Sequence, residues 1–93
     1  MILHHIQTSP NQDNALSCAV HYAGQTDSIL LSGNGVYALL EDKWQLALQD
    51  RRLFLLKSDV QARGLSKRLV EYACIDHKQF VQQALIHNKV ITW

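Results

Sequence analysis

The sequence predicts an α/β protein in three layers, with helices on both faces of a mostly parallel sheet of about five strands. Short apolar runs alternate with helical segments of about a dozen residues, which is the spacing of βαβ units. The central runs are apolar throughout, as in strands whose two faces are both covered. With 93 residues, of which 47% are hydrophobic, the chain is expected to form one domain over residues 1–93.

Each predicted element follows from a local pattern in the chain. The strands are expected at residues 1–6, 27–32, 51–57, 71–76 and 90–93, the last being either a brief strand or an extended tail. The helices are expected at residues 10–23, 36–48, 58–64 and 77–88, with an interruption of the second helix near Asp42 and Lys43. No internal repeat, linker or low-complexity segment is present.

Capping residues predict where these helices begin and end. Three capping-box pairs precede helical segments, namely Ser9 with Gln12, Ser58 with Gln61, and Asp76 with Gln79. Pro10 suits the first position of the first helix, and Gly24 and Gly64 can terminate the first and third helices. In the last helix one apolar stripe is expected to pack on the sheet, formed by Phe80, Val81, Ala84 and Leu85.

Charge and composition exclude several classes of function. The net charge of +1 gives no basic field for nucleic acid, so direct binding to nucleic acid is not expected. The first ten residues lack the pattern of a signal peptide and no segment is long enough to span a membrane, so we expect a cytoplasmic protein with free thiols. His4 and His5 are neighbours in a strand and point to opposite faces, and no metal site or cofactor is predicted.

The segment GNGVYA, residues 33–38, matches a dinucleotide-binding pattern and lies between a strand and a helix. It follows the second strand, and the acidic residue expected about twenty residues later is missing, so we interpret it as a tight turn whose glycines take positive φ. The amides around Gly33 to Gly35 stay candidates for holding an anion. A homo-oligomeric module that binds a small ligand therefore remains one alternative.

Cys18 is the strongest candidate for a reactive side chain. On the first helix it lies off the apolar stripe, and His21 follows at i+3, where a protonated imidazole would favour the nucleophilic thiolate. The alternative is a small residue at the edge of the core or of an interface, because a position in the middle of a helix gains nothing from the helix N-terminus. Cys74, in an apolar strand, is expected to be a buried and inert packing residue.

Several segments together resemble the TusB/DsrH family over nearly the whole chain. They are ILHHIQTSP at the start, SILLSGNGVYALL in the middle, DVQARGLS after the third strand, and CIDHKQFVQQALIHNKVITW at the end. Each segment alone is weak evidence for this family, but the order and spacing of the segments together are specific to it. The resemblance implies a DsrE-like fold and a subunit of a sulfur-relay complex, assembled with two sister subunits as a dimer of heterotrimers.

The resemblance also implies two roles between which the sequence does not decide. In the TusB branch the relay passes persulfide sulfur toward 2-thiolation of the tRNA wobble uridine, and this chain would be mainly a scaffold. In the DsrH branch a similar complex serves oxidative sulfur metabolism, and the pair Ser17–Cys18 resembles that branch. There Cys18 would carry the persulfide and His21 would support the thiolate.

Overall fold

A computed structural model describes all 93 residues and contains one five-stranded sheet. Its strands are β1 (Ile2–Ile6), β2 (Ser28–Leu31), β3 (Arg52–Leu56), β4 (Cys74–Ile75) and β5 (Lys89–Thr92). Their order is β4-β3-β2-β1-β5, and every neighbouring pair is parallel. The predicted α/β class and sheet are confirmed, and the final segment is a paired strand, whereas β4 has two residues where six were expected.

The helices divide unequally between the two faces of this sheet. They are α1 (Ala15–Tyr22), a 3₁₀ helix (Gly33–Leu40), α2 (Asp42–Leu48), α3 (Lys57–Ala62) and α4 (His77–Ile86). Ile29 and Leu30 are neighbours in β2 and pack in different clusters, because successive strand side chains point to opposite faces. The larger cluster, of 13 buried residues, includes side chains of every helix except α4, which covers the other face alone.

The first helix starts later than predicted. Ser9 and Gln12 form a local turn, in which the Ser9 amide donates to the Gln12 side chain and the Gln12 amide donates to the Ser9 carbonyl. The helix then begins at Ala15, whose amide donates to Oδ1 of Asp13 at 2.9 Å. The prediction that the helix starts at Pro10 is wrong. Ser9 and Gln12 satisfy each other's hydrogen bonds in an isolated turn, and the helical conformation does not continue from that turn.

Two other capping predictions have opposite outcomes. Asp76 and Gln79 form the full capping box of α4, with hydrogen bonds of 2.7 and 2.9 Å between each side chain and the other residue's amide. Ser58 caps nothing, since α3 already begins at Lys57 directly after β3. The expected interruption near Asp42 is confirmed, because the 3₁₀ helix ends at Leu40 before α2 begins.

The prediction that one whole apolar stripe of α4 packs on the sheet is wrong. Phe80 and Ala84 are half-buried, but Val81 and Leu85, about 100° further around the helix, are 57% and 79% exposed. The thin second layer explains this, because no further helix lies beside α4 to cover its outward residues. We call Lys78, Val81, Gln82 and Leu85 the outer face of α4. None of the helices is long and apolar enough to cross a bilayer.

Candidate functional site

The α1 helix places Cys18 and His21 at the surface, away from the buried residues Leu16 and Ala19, as their spacing predicted. His21 does not hydrogen-bond to the thiol. Its Nδ1–H donates instead to the carbonyl oxygen of Ser17, at 2.9 Å. Cys18 is thus an accessible thiol without a bonded base, and its sulfur chemistry stays a prediction.

Cys74 occupies a different environment from Cys18. It is half-buried at the side of a shallow pocket of about 230 Å³ that Lys57 and Tyr72 also line. Burial raises the pKa of the Cys74 thiol, and the positive charge of Lys57 opposes this rise only in part. The thiol form is therefore favoured, which fits the expectation of a packing residue.

The glycine loop after β2 is stabilised from within the chain. The Gly33 amide donates to Oδ2 of Asp59 at 2.7 Å, and the Gly35 amide donates to the Ser32 carbonyl at 2.8 Å. The Asp59 carboxylate and the Ser32 carbonyl thus occupy the Gly33 and Gly35 amides from within the chain, and the binding of an external anion by this loop stays a prediction.

The two glycines of this loop are required for different reasons. Gly33 has φ of +51°, a backbone conformation that favours glycine. Gly35 has no positive φ, so the prediction that both glycines need one is wrong. A Cβ on Gly35 would instead lie 2.7 Å from the Ile6 carbonyl oxygen, so the 3₁₀ helix can approach the end of β1 only with glycine there.

Arg63, in the segment ARG, joins two of the segments that carry the family resemblance. Its Nε and Nη2 donate to Oδ1 of Asn34 at 3.2 and 2.9 Å, and its Nη1 donates to the Asp59 carbonyl at 3.3 Å. The guanidinium also lies over the Tyr37 ring, 5.8 Å from its centroid. All parts of this guanidinium are engaged inside the chain, which indicates a structural role at the carboxyl edge of the sheet.

His4 and Trp93 form a second structural centre, which sequence reasoning missed. The Trp93 Nε1–H donates to Nδ1 of His4 at 3.1 Å, so the other ring nitrogen, Nε2, carries the proton that reaches Oδ2 of Asp27 at 3.0 Å. Tyr22 packs edge-on against both rings. His4 and Trp93 stand in the first and the last of the segments that carry the family resemblance, but nothing in the sequence indicates that the two meet.

Asp27 is the anchor of this centre. Burial by itself raises the pKa of its carboxyl, but hydrogen bonds from His4 and from the amides of Gly24 and Ile2 outweigh burial and lower the pKa to about 2. The carboxylate thereby fixes the loop before β2 to the beginning of β1. All of its donors come from within the chain, so the carboxylate acts as a structural link in this centre.

His5 and Ser32 form a third polar contact, on the other face of the sheet. Nε2 of His5 lies 2.6 Å from Oγ of Ser32, and the Phe80 ring covers the imidazole at 5.3 Å between centroids. Burial lowers the pKa of His5, and the charge of Asp59 opposes this only in part. The neutral imidazole and the hydroxyl satisfy each other beneath α4, where both residues are buried.

The side chains of Asp27, His4, His5 and Arg63 are therefore paired internally, and no group of metal-ligating side chains comes together. The groups that face outward include a thiol on α1 and apolar side chains on α4. Fold and surface together define a small α/β protein with an accessible thiol on α1 and exposed apolar side chains on α4.

Comparison with known proteins agrees with this class. The model of the family described as DsrH like protein matches residues 8–90. Protein TusB of Buchnera aphidicola is 31% identical over 96 residues, covering 99% of this chain and all of that protein. Protein TusB of Yersinia pestis is 35% identical over 82 residues, covering 84% of this chain and 86% of that protein. The chain belongs to the TusB/DsrH family of sulfur-relay subunits.

The fold is shared more widely than the sequence. A solved structure of a conserved protein of unknown function from Bacteroides thetaiotaomicron superposes with a TM-score of 0.73. The match covers 99% of this chain and 94% of that one at 16% identity, so it bears on the fold alone.

Proposed function

We propose that the chain is a structural subunit of a cytoplasmic sulfur-relay complex that serves 2-thiolation of the tRNA wobble uridine. Its single domain over residues 1–93 assembles with two sister DsrE-like subunits as a dimer of heterotrimers. Family membership supports this role.

The observation that carries the scaffold role is the apolar surface of α4. Val81, Leu85 and Ile86 are 57%, 79% and 62% exposed, although a helix of a monomeric domain would normally turn such side chains inward. Covering them with a partner removes apolar area from water, which is the main driving force of stable association.

The test is purification of the tagged chain from its own host, followed by native mass spectrometry. We expect two DsrE-like partners in equal copy number with this chain. Leu85→Glu should lose them, whereas Val70→Glu should retain them, because Val70 is equally exposed but lies outside α4. Recovery of the chain alone, or with unrelated proteins only, would contradict the assignment.

The proposed role in tRNA thiolation is tested separately, by measuring 2-thiouridine in the tRNAs of the host. Removing the gene should abolish 2-thiouridine in the tRNAs of the host, and the wild-type chain and Cys18→Ser should both restore it if this subunit is a scaffold. Unchanged thiolation in the deletion strain would rule out the TusB role.

A second candidate is the DsrH-like carrier, which the accessible Cys18 thiol favours. Its thiolate would attack the outer sulfur of a donor persulfide, forming Cys18–S–S⁻ while the donor leaves as a thiolate. The intact mass should then increase by one sulfur atom, a gain that Cys18→Ser loses and Cys74→Ser keeps. No gain with a competent donor would remove this candidate.

A further inference from the structure

Asn34 and Gly35 form the one Asn-Gly pair of the chain, inside the segment GNGVYA. In such a pair the backbone nitrogen of the glycine can attack the side-chain carbonyl carbon of the asparagine, because glycine has no Cβ to hinder the approach. The other asparagines precede residues that carry side chains, namely Gln12, Ala15 and Lys89. The sequence therefore makes Asn34 the most reactive asparagine of the chain.

The fold restrains both reacting groups of this pair. Oδ1 of Asn34 accepts the Nε and Nη2 hydrogens of Arg63 at 3.2 and 2.9 Å, so the side-chain carbonyl is turned toward the guanidinium. The Gly35 amide donates to the Ser32 carbonyl at 2.8 Å, so its proton is held within the 3₁₀ helix. Gly35 is also buried against the Ile6 carbonyl oxygen, which leaves its peptide unit no room to turn.

Arg63 is itself held in place from several sides. Its Nη1 donates to the Asp59 carbonyl at 3.3 Å, and its guanidinium lies over the Tyr37 ring. The Asp59 carboxylate in turn accepts the Gly33 amide at 2.7 Å. These bonds form one network between α3 and the 3₁₀ helix, with the Asn34 side chain inside it. We call the contact of Arg63 with Asn34 and Asp59 the Arg63 clamp.

We propose that Asn34 is a modification site whose spontaneous deamidation the Arg63 clamp suppresses in the folded chain. When this segment opens, the Gly35 nitrogen loses its proton and attacks Cγ of Asn34. The new N–C bond closes a succinimide ring, and Nδ2 leaves as ammonia. Water then adds to one of the two ring carbonyls and opens the ring to aspartate or isoaspartate. One water is consumed and one ammonia released, so the reaction needs neither an oxidant nor an enzyme.

The two products fit this fold differently. Aspartate leaves a carboxylate oxygen at the position of Oδ1, so the bonds from Arg63 become charge-assisted. Isoaspartate lengthens the main chain by one methylene group before Gly35, where even a Cβ would lie 2.7 Å from the Ile6 carbonyl oxygen. Both products add a negative charge at the carboxyl edge of the sheet, and isoaspartate also displaces the 3₁₀ helix from the end of β1.

The test is incubation of the purified chain at mildly alkaline pH, with peptide mass spectrometry to measure aspartate and isoaspartate at position 34. The folded wild type should react slower than the same chain in urea by about tenfold or more, because the reaction requires local opening. Arg63→Ala should recover much of this difference while circular dichroism shows a folded chain. Asp76→Ala is the matched control and should stay as slow as the wild type, since it weakens the start of α4 and leaves the clamp intact.

A second variant keeps the test decisive if Arg63→Ala does not fold. Arg63→Lys retains the charge but loses the paired donors on Oδ1, so it should also react faster than the wild type.

Three results would overturn the proposal. The first is a folded wild type that reacts as fast as the chain in urea. The second is a reaction in the Arg63 variants that is no faster than in the wild type, because a guanidinium on Oδ1 also polarises the carbonyl and could promote attack. The third is equal acceleration by Asp76→Ala, which would assign the protection to overall stability. The reaction requires no partner, so its outcome is independent of the proposed function.

Discussion

Asp27 joins three parts of the chain that are far apart in sequence. Its carboxylate accepts hydrogen bonds from the Ile2 and Gly24 amides and from His4, whose other ring nitrogen accepts the Trp93 N–H. Charge-assisted bonds of this kind are stronger than neutral ones. The beginning of β1 and the loop before β2 are thus fixed to each other by Asp27, and the residue after β5 is joined to them through His4.

This carboxylate predicts the acid sensitivity of the fold. Its pKa is about 2 in the folded state against an ordinary 3.8, so its stabilisation is complete above the ordinary value and is lost as the pH falls toward 2. The contribution is about 2 kcal/mol. Urea unfolding between pH 5 and about pH 2 should show this loss in the wild type and not in Asp27→Asn.

The control for this experiment is Asp50→Asn. Asp50 is exposed and its carboxylate makes no hydrogen bond, so this variant should keep the wild-type pH dependence. An Asp27→Asn protein with the same acid slope as the wild type would show that the carboxylate is not the source.

The two tryptophans form a matched pair for a second prediction. Trp93 donates its indole N–H to His4, whereas the Trp44 N–H is buried without a partner. Trp93→Phe should therefore lower the free energy of unfolding by about 1 kcal/mol more than Trp44→Phe does, because only the former breaks a hydrogen bond. Chemical denaturation measures both, and equal losses would show that the Trp93 bond contributes nothing.

Gly35 and Gly24 give a third comparison at single residues. A Cβ at position 35 would lie 2.7 Å from the Ile6 carbonyl oxygen, so Gly35→Ala should displace the 3₁₀ helix and lower the melting temperature. At position 24 the nearest atom is 3.8 Å away and φ is not positive, so Gly24→Ala should be tolerated. Equal melting temperatures for the two variants would contradict the close approach seen at Gly35.

For single residues, the sequence predicted which side chains are exposed better than it predicted which side chains contact each other. Periodicity placed Cys18 off the core face of α1 because that needs only the angle per residue. It could not pair Trp93 with His4, or His5 with Ser32, because those contacts depend on which strands become neighbours.

Among the elements, the strands were the easiest to predict and the helix starts the hardest. Apolar runs identify buried strands directly, whereas a capping pair needs only three residues and can be satisfied by an isolated turn, as at Ser9 and Gln12. A helix propagates from such a turn only when packing supports it. Asp76 and Gln79 succeed because Phe80 directly afterwards packs on the sheet.

The capping difference predicts a difference in stability. Asp76→Ala should destabilise the chain by about 1 kcal/mol, because it removes the side-chain acceptor at the start of α4. Ser58→Ala should have little effect, since Ser58 caps no helix. Thermal unfolding followed by circular dichroism compares them, and a larger loss for Ser58→Ala would invert the expectation.

For the whole molecule, the two faces of the sheet differ in how many helices and buried residues cover them. One face of the sheet carries a cluster of 13 buried residues, while the face under α4 has three, namely Leu3, Leu30 and Ile75. Composition predicted the three layers but not this imbalance, because the apolar side chains of α4 look the same in sequence whether the sheet or a partner covers them.

The imbalance predicts where the isolated chain opens first. No residue of α4 is fully buried, so its amides should exchange hydrogen faster than those of β2, whose four residues are all buried. Hydrogen exchange read by mass spectrometry at low protein concentration measures this directly. Protection of α4 equal to that of β2 would mean that the helix is held more firmly than its packing implies.

The pairing of β1 with β5 has a consequence for biosynthesis. Ile2 lies beside Lys89 and His5 beside Thr92, so β1 gains one of its two neighbours only after every other helix and strand of the fold has been translated. Until then one edge of β1 is open and available to any nascent strand nearby. Slow codons between β1 and β5 would prolong that interval, which links the yield of folded protein to the rate of translation.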